Sequence, residues 1–259
     1  MNRNNIDKIA HTSEDKILLA KLWDKIEGGI RRNIPSNTGF LSLREQEMAR
    51  YLFGDQPGLV TFGGYEGAQR QMLCYFPDYL EPDFSEDAPM VCLRAEYYDK
   101  EDLNHRDFLG ALMGFGISRE SVGDICVGCG SCDFFVTESI AASLLQSFTQ
   151  VGRVKIRLSQ VSLSDARIPQ QEIKELRDTL ASLRLDGVIS SGFRIGRSLA
   201  CSYISAGKAA INGLPCEKAD KQIPEGAEIS VRGLGKIKLY SVNGQTKKGR
   251  ISVVIHRYV

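Results

Sequence analysis

The 259-residue sequence contains no run of eighteen apolar residues, and its opening segment MNRNNIDKIAHTSEDK has no apolar core. These two absences argue against a membrane span and a secretory signal, and the cytoplasm is the expected address. Histidine is scarce, at three residues, and none lies near the cysteines, so a mixed Cys–His zinc site lacks ligands. The seven cysteines are an odd number with no paired framework, which points to reduced thiols. The chain has no internal repeat, which removes solenoids and arrays, and it has no low-complexity segment. What remains is ordinary globular usage, 42% hydrophobic and 25% charged, with room for two or three modest domains.

Charge is unevenly spread. The whole chain has a net charge of +1, yet residues 181–259 hold 13 Lys or Arg against 5 Asp or Glu. The C-terminal third is therefore the part suited to a polyanion.

Near the N-terminus, Ser13 opens an amphipathic helix through EDKILLAKLWDKI, with Ile17, Leu18, Trp23 and Ile26 as its expected buried stripe. Ser42 and Glu45 form a capping-box signature ahead of a second helix. Residues 1–75 thus read as a helical region. Residues 60–77, VTFGGYEGAQRQMLCYFP, hold turns and one short strand. From Val91 the elements read strand (VCLRAEYY), helix (HRDFLGALMGF, capped by Asn104), two strands (GDICV and DFFV), helix (ESIAASLLQSF, capped by Thr137) and strand (RVKIRL). That β-α-β-β-α-β order, over residues 76–165, is that of a ferredoxin-like unit of the RRM type, with helices on one face of the sheet and the other face open. Residues 161–182 fit either a helix or a connecting strand. From Leu183 a compact basic module follows, with RIGRSLACSYISAGK as a helix and Asn212-Gly213 as a hairpin turn.

The cysteines at 126, 129 and 132 have the spacing that opens a ferredoxin cluster run, but the sequence then continues DFFVTE without the fourth Cys and its Pro. A Gly-rich hairpin with small reduced thiols is the better reading, with an iron-sulfur or thiol redox sensor as the lesser one. No metal and no cofactor is assigned. HRD at His105 lacks the other kinase signatures, and RGLGK at Arg232 lacks the Ser or Thr of a phosphate loop. RLDG at Arg184 matches the catalytic Asp setting of pseudouridine synthases. An Asp that starts a short helix accounts for it more simply, and an RNA-modifying enzyme stands as the alternative function.

The basic residues agree with one another. Arg194 and Arg197 are three apart and are expected on one helix face near its N-terminus, where free N–H groups also favour phosphate. Lys208, Lys236, Lys238, Lys247, Lys248 and Arg250 follow, and Arg153, Lys155 and Arg157 form a second stripe on the sheet of residues 76–165. The aromatics that usually stack bases on such a sheet are not evident here; Phe134 or Phe135 must point outward, and alternation does not say which.

Residues 183–233 resemble the small RNA-binding module named after ribosomal small-subunit protein S-four, the alpha-L motif. The match runs through Arg184-Leu-Asp186, Arg197-Ser198, Ala200, Ile204, Gly207, Asn212-Gly213, Gly226 and Ile229. FLSLREQ at Phe40, GGYEGAQR at Gly63, HRDFLGALMGFGISRESVGDI at His105 and the tail RGLGKIKLYSVNGQTKKGRI extend the resemblance to the YlmH family, over most of residues 40–255. The expected fold is α+β: a helical N-terminal part (1–75), a ferredoxin-like RNA-binding domain (76–165) and a C-terminal alpha-L module (181–259). The resemblance implies association with ribosomes or large subunits and a role with stalled nascent chains still attached to transfer RNA. The expected function is a non-enzymatic RNA-binding protein docking on structured ribosomal or transfer RNA. The expected contacts are the cations named above together with Ser198, Asn212 and Arg232.

Overall fold

The computed structural model describes residues 5–81, 88–98, 101–170, 172–246 and 249–258. The chain forms two compact units, Met1–Pro169 and Gln170–Val259.

In the first unit a short helix α1 (Ile6–Ile9) leads into α2 (Ser13–Arg32), which is followed by β1 (Ser36–Leu41), α3 (Leu43–Phe53), β2 (Leu59–Phe62) and β3 (Gln71–Tyr75). Both long helices begin on complete capping boxes, Thr12 with Asp15 and Ser42 with Glu45. Each cap satisfies otherwise orphaned N–H groups and stabilises its helix by about 1 kcal/mol. The buried stripe of α2 is Leu19, Leu22, Trp23 and Ile26, while Ile17 is exposed. The expected stripe was one position out of phase at its start, because Asp15, bonded to the cap and to Arg44, takes the inward position of the first turn. The N-terminal part is also not purely helical. β1, β3 and β2 form an antiparallel three-stranded sheet.

The chain continues through β4 (Met90–Glu96), α4 (His105–Gly114), β5 (Val122–Val127), β6 (Ser131–Thr137), α5 (Glu138–Ser147), the small hairpin β7 (Gln150–Val151) and β8 (Val154–Lys155), and β9 (Arg157–Val161). β5-β6-β4-β9 is a four-stranded antiparallel sheet. Its two faces bury different cores. Phe134, Leu93 and Cys132 pack with Phe108, Leu112 and Leu144 of α4 and α5. Phe135, Cys92 and Cys126 face the other way, onto Phe40 of β1 and Met72 and Cys74 of β3.

That second core corrects two expectations. The sheet face opposite the helices is not open, because the N-terminal sheet covers it. Phe134 and Phe135 are both fully buried, so neither is a base-stacking platform, and each stabilises its layer by roughly 2–3 kcal/mol. Alternation along a strand says that two neighbours point to opposite faces, but not that a distant segment will cover the second face. The stretch RVKIRL also differs from one strand. Gly152, at φ +57°, turns β7 back onto β8 before β9 joins the main sheet.

The second unit comprises β10 (Ile173–Leu180), α6 (Leu185–Phe193), α7 (Arg197–Ser205), β11 (Ala209–Ile211), β12 (Leu214–Pro215), β13 (Glu228–Val231), β14 (Gly235–Gln245) and β15 (Ile251–Tyr258). The ambiguous stretch before it is the strand β10, paired along its length with β15. The six strands run in the order β10-β15-β14-β13-β11-β12, all antiparallel. Val188, Ile189 and Phe193 of α6 and Ala200 and Ile204 of α7 pack with Leu176, Ile237, Leu239 and Ile255 of the sheet. Asn212 and Gly213 both have positive φ, +48° and +76°, the conformation a two-residue hairpin turn requires. Among the described residues no helix is long and apolar enough to cross a membrane.

Candidate nucleic-acid interface

The most charged feature of the second unit is built on the corner between α6 and α7. Arg194 ends α6 in the left-handed conformation, φ +54°, and its N–H and that of Ile195 reach back to the carbonyls of Ser191 and Ser190. Gly196 is the N-cap of α7 and Arg197 its first residue. Arg194 and Arg197 therefore do not share one helix face, as their spacing suggested. Arg194 closes one helix and Arg197 opens the next, and it is the corner between them that puts both at one exposed rim.

Beneath that rim lies Asp186, the second residue of α6, only 3% exposed. Arg197 donates to its two oxygens from Nε and Nη2 at 3.1 Å each. Arg184 donates to the same two oxygens at 3.2 and 3.1 Å, and the Gly187 N–H adds a bond of 2.8 Å. Burial alone would raise the carboxyl's pKa, but the Arg184 and Arg197 hydrogen bonds outweigh it and hold Asp186 below its ordinary range. One buried anion thus fixes two guanidinium planes and leaves the cluster one positive charge in excess, with both arginines partly open to solvent. Fixed guanidinium forks suit phosphate oxygens, because less side-chain entropy is lost when the ligand arrives.

A cleft of about 360 Å³ adjoins this corner, lined by Arg194, Arg197 and Arg250 together with Ser190, Ser191 and Asp178. Arg250 is anchored there by its Nε bond to the Thr179 hydroxyl at 3.0 Å and by a second bond to the Thr179 carbonyl. Asp178 accepts from the Ser191 hydroxyl at 2.6 Å.

The other expected contacts fall into separate places. Ser198 is exposed on the first turn of α7. Lys208 is exposed beyond the end of α7, above the Tyr203 ring, and its carbonyl accepts from the N–H of Arg232 on the β13–β14 turn. The side-chain oxygen of Asn212 accepts from the Glu228 N–H at 2.9 Å, which ties the hairpin to β13. Lys236 pairs with Glu228 at 2.8 Å, and Lys238 follows two residues along β14, with Glu228 and His256 as its ladder partners. Lys247 and Lys248 lie outside the described residues. In the first unit Arg153, Lys155 and Arg157 are exposed. Arg153 and Lys155 belong to the small hairpin, and Arg157 lies on the edge strand β9 opposite Glu96.

Arg184 was not among the expected contacts. Its signal was present as Arg184-Leu-Asp186, where a basic residue two positions before a buried acid can fold back onto it.

The cysteine triplet does not converge. Cys132 is in the core under the helices and Cys126 in the core between the two sheets, while Cys129 is exposed at the hairpin tip. Burial pushes the Cys126 thiol up to about 11 and raises that of Cys132 as well. Among the described residues no group of three or more His, Cys, Asp or Glu is arranged to hold a metal ion.

A cleft of about 970 Å³ in the first unit is lined by Lys21, Lys25, Arg70 and Arg119, but equally by Glu45, Glu120 and Glu138. Arg70 and Arg119 donate there to backbone carbonyls of Phe40, Val122 and Gly123. The Arg70 guanidinium joins β3 to β1 and β5, that of Arg119 braces its own turn into β5, and burial lowers both pKa values, that of Arg119 to about 10. The GGYEGAQR segment is likewise structural. Asp124 accepts from the Tyr65 hydroxyl and from the N–H groups of Gln69 and Arg70. HRD serves as a helix start, with Asn104 and Asp107 in a capping box.

Residues 85–165 match a family model described as "Putative RNA-binding domain in YlmH". The chain is 33% identical over 222 residues to the ribosome-associated protein quality control protein P2 of Bacillus subtilis (strain 168), an alignment covering 85% of this chain and 86% of that protein. The solved structure of the cell division protein ylmH from Streptococcus pneumoniae is similar in fold, with a TM-score of 0.50 and 22% identity over 62% of this chain and 98% of that one.

Proposed function

The chain belongs to the YlmH family, and from that premise we propose that it is a non-enzymatic, cytoplasmic RNA-binding protein that docks on structured ribosomal or transfer RNA. The observation that carries the reading is the α6–α7 corner, where Asp186 holds Arg184 and Arg197 beside Arg194 and Arg250. Such a corner recognises phosphate position and the shape of a folded RNA, since guanidinium-to-phosphate bonds carry no base information. Ser198, Lys208 and Arg232 extend the same reading along α7 and the β13–β14 turn, with Arg153, Lys155 and Arg157 as a second contact. The helix-corner-helix packed on an antiparallel sheet supports an alpha-L module. The antiparallel order β5-β6-β4-β9, with α4 and α5 on one face, supports a ferredoxin-like unit.

The curated relative carries ribosome association and quality control in its name, and the proposal extends both to this chain. The partner is the large subunit with transfer RNA bound, and the task is the handling of stalled nascent chains. An RNA-modifying role through Asp186 is disfavoured, because both of its oxygens are already occupied by two guanidiniums and a backbone N–H.

Sucrose-gradient sedimentation of the tagged protein from gently lysed cells tests this, beside an Arg194→Ala/Arg197→Ala variant. Migration with large subunits that is lost in the variant is the expected result. Both proteins staying at the top of the gradient would overturn stable ribosome docking.

A further inference from the structure

The sheet of the second unit has two faces, and α6 and α7 cover only one of them. Ile237, Leu239, Val253 and Ile255 point into the helix-covered core. Strand alternation then sends Lys236, Lys238 and Tyr240 of β14, and His256 and Tyr258 of β15, to the opposite face. The register agrees, since Lys238 stands directly opposite His256, and paired residues share a face. On this face the His256 and Tyr240 rings stack, with centroids 4.0 Å apart and planes 15° from parallel. Tyr240 nevertheless remains 52% exposed. A β-bulge between Leu239 and Ser241 interrupts the ladder beside it, a device that commonly re-aims a side chain.

The charges on this face are complementary to a nucleic acid. Glu228 is paired with Lys236 and Glu175 with Arg177, each at 2.8 Å, and the His256 Nε2 lies 4.0 Å from the same Glu175 carboxylate. Lys238 forms no ion pair among the described residues, so the cation nearest the ring along the strand is unspent. It lies two residues from Tyr240, about 7 Å along the chain. Ile173 and Val254 share this face beside Tyr258 and Tyr240, but Lys236, Lys238, Arg177, Glu175 and Glu228 break the apolar surface up, so no contiguous apolar patch is offered to a protein partner. An exposed ring with an uncommitted ammonium group beside it fits an unpaired nucleotide, with the base on the ring and the phosphate on the cation.

We propose that the outer face of this sheet is a second RNA contact, at which one unpaired base stacks on Tyr240 and Lys238 takes an adjacent phosphate. It rests on the reading that the protein binds RNA, but it uses a different face from the α6–α7 corner and a different kind of recognition. A phosphate-gripping corner anchors folded RNA, and a stacking platform would select for a neighbouring base that is not paired.

The test is equilibrium binding by the full chain, at one fixed salt concentration, of a fluorescent twelve-nucleotide oligoadenylate and of an abasic oligonucleotide of the same length and charge. Tyr240→Ala should weaken oligoadenylate binding about tenfold and leave abasic binding unchanged, with Tyr240→Phe restoring the wild-type value. Unchanged oligoadenylate binding, or an equal loss with both ligands, overturns the proposal. So does a photocrosslinker at position 240 that captures protein and no RNA from ribosome pellets. An Arg194→Ala/Arg197→Ala variant, tested on a folded RNA hairpin, separates the two readings. Loss of hairpin binding there with Tyr240→Ala silent on oligoadenylate removes the platform alone. The reverse pattern removes the phosphate-gripping corner and leaves the platform standing.

Discussion

Asp186 and Arg197 are eleven residues apart and belong to different helices, yet two hydrogen bonds of 3.1 Å join them across the corner of the basic module. The bond pair makes the acid a positioning group for the cation that is the candidate phosphate contact. Asp186→Asn should therefore weaken binding to folded RNA even though it removes a negative charge. It should also lower stability, because two guanidiniums lose their shared partner. Urea unfolding and RNA titration of the same variant check both. Tighter RNA binding would mean that net charge matters more than placement.

Arg194 allows charge to be separated from backbone conformation. At φ +54° it sits where glycine is favoured. Arg194→Gly should keep or raise thermal stability while lowering RNA affinity by several-fold and reducing the slope of log affinity against log salt by about 1. An unchanged slope would remove Arg194 from the phosphate contacts.

The carboxyl of Asp15 is held well below its ordinary value of 3.8, at about 2, chiefly by its hydrogen bonds from Arg44. Burial opposes that shift, and the N–H groups of His11 and Thr12 assist it. A folded-state pKa below the unfolded one gives stability that is complete above about pH 5 and is lost as pH falls toward 2. Asp15→Asn should flatten that part of the acid unfolding curve and lower stability at pH 7 by about 2 kcal/mol. Parallel acid titrations of the two proteins, followed by circular dichroism, read both effects.

Gly123 lies where the two sheets of the first unit meet. A Cβ there would come within 2.6 Å of the Phe40 ring and 3.0 Å of the Phe135 Cβ. Gly123→Ala should therefore destabilise the unit by about 2 kcal/mol through overpacking, measured as a lower denaturant midpoint. A midpoint equal to that of the wild type would mean that the layers part easily, contrary to the packed core described.

The thiols should react in order of exposure. Cys129 is exposed, whereas Cys74 and Cys92 are buried with thiols pushed up to about 12 by burial. Since the thiolate is the reactive form, native protein at pH 8 should label fastest at Cys129, a phase abolished by Cys129→Ser, with the half-buried Cys201 and Cys216 following and the four buried thiols last. Fast reaction of Cys126 or Cys132 would contradict their placement in the cores.

The sequence by itself determined the elements whose causes are local. Ser42 with Glu45 and Asn104 with Asp107 write their helix starts into four adjacent residues. Asn212-Gly213 writes its turn into two, and the strand-helix order from Val91 to Ser147 follows from periodicity, whereas RVKIRL divides between a small hairpin and β9. Charge counting likewise located the basic third of the chain, because it needs no coordinates. Tertiary structure alone decided which residues meet. It covered the far face of the four-stranded sheet with β1, β2 and β3, and so took Phe135 out of consideration as a stacking surface. It sent Cys126 and Cys132 into different cores. It also divided Arg194 and Arg197 between two helices, then joined Arg197 and Arg184 on one buried carboxylate. The physical reason is one of range. Caps and turns are satisfied within a few residues, whereas burial and ion pairing depend on segments tens of residues apart, whose approach no local pattern records.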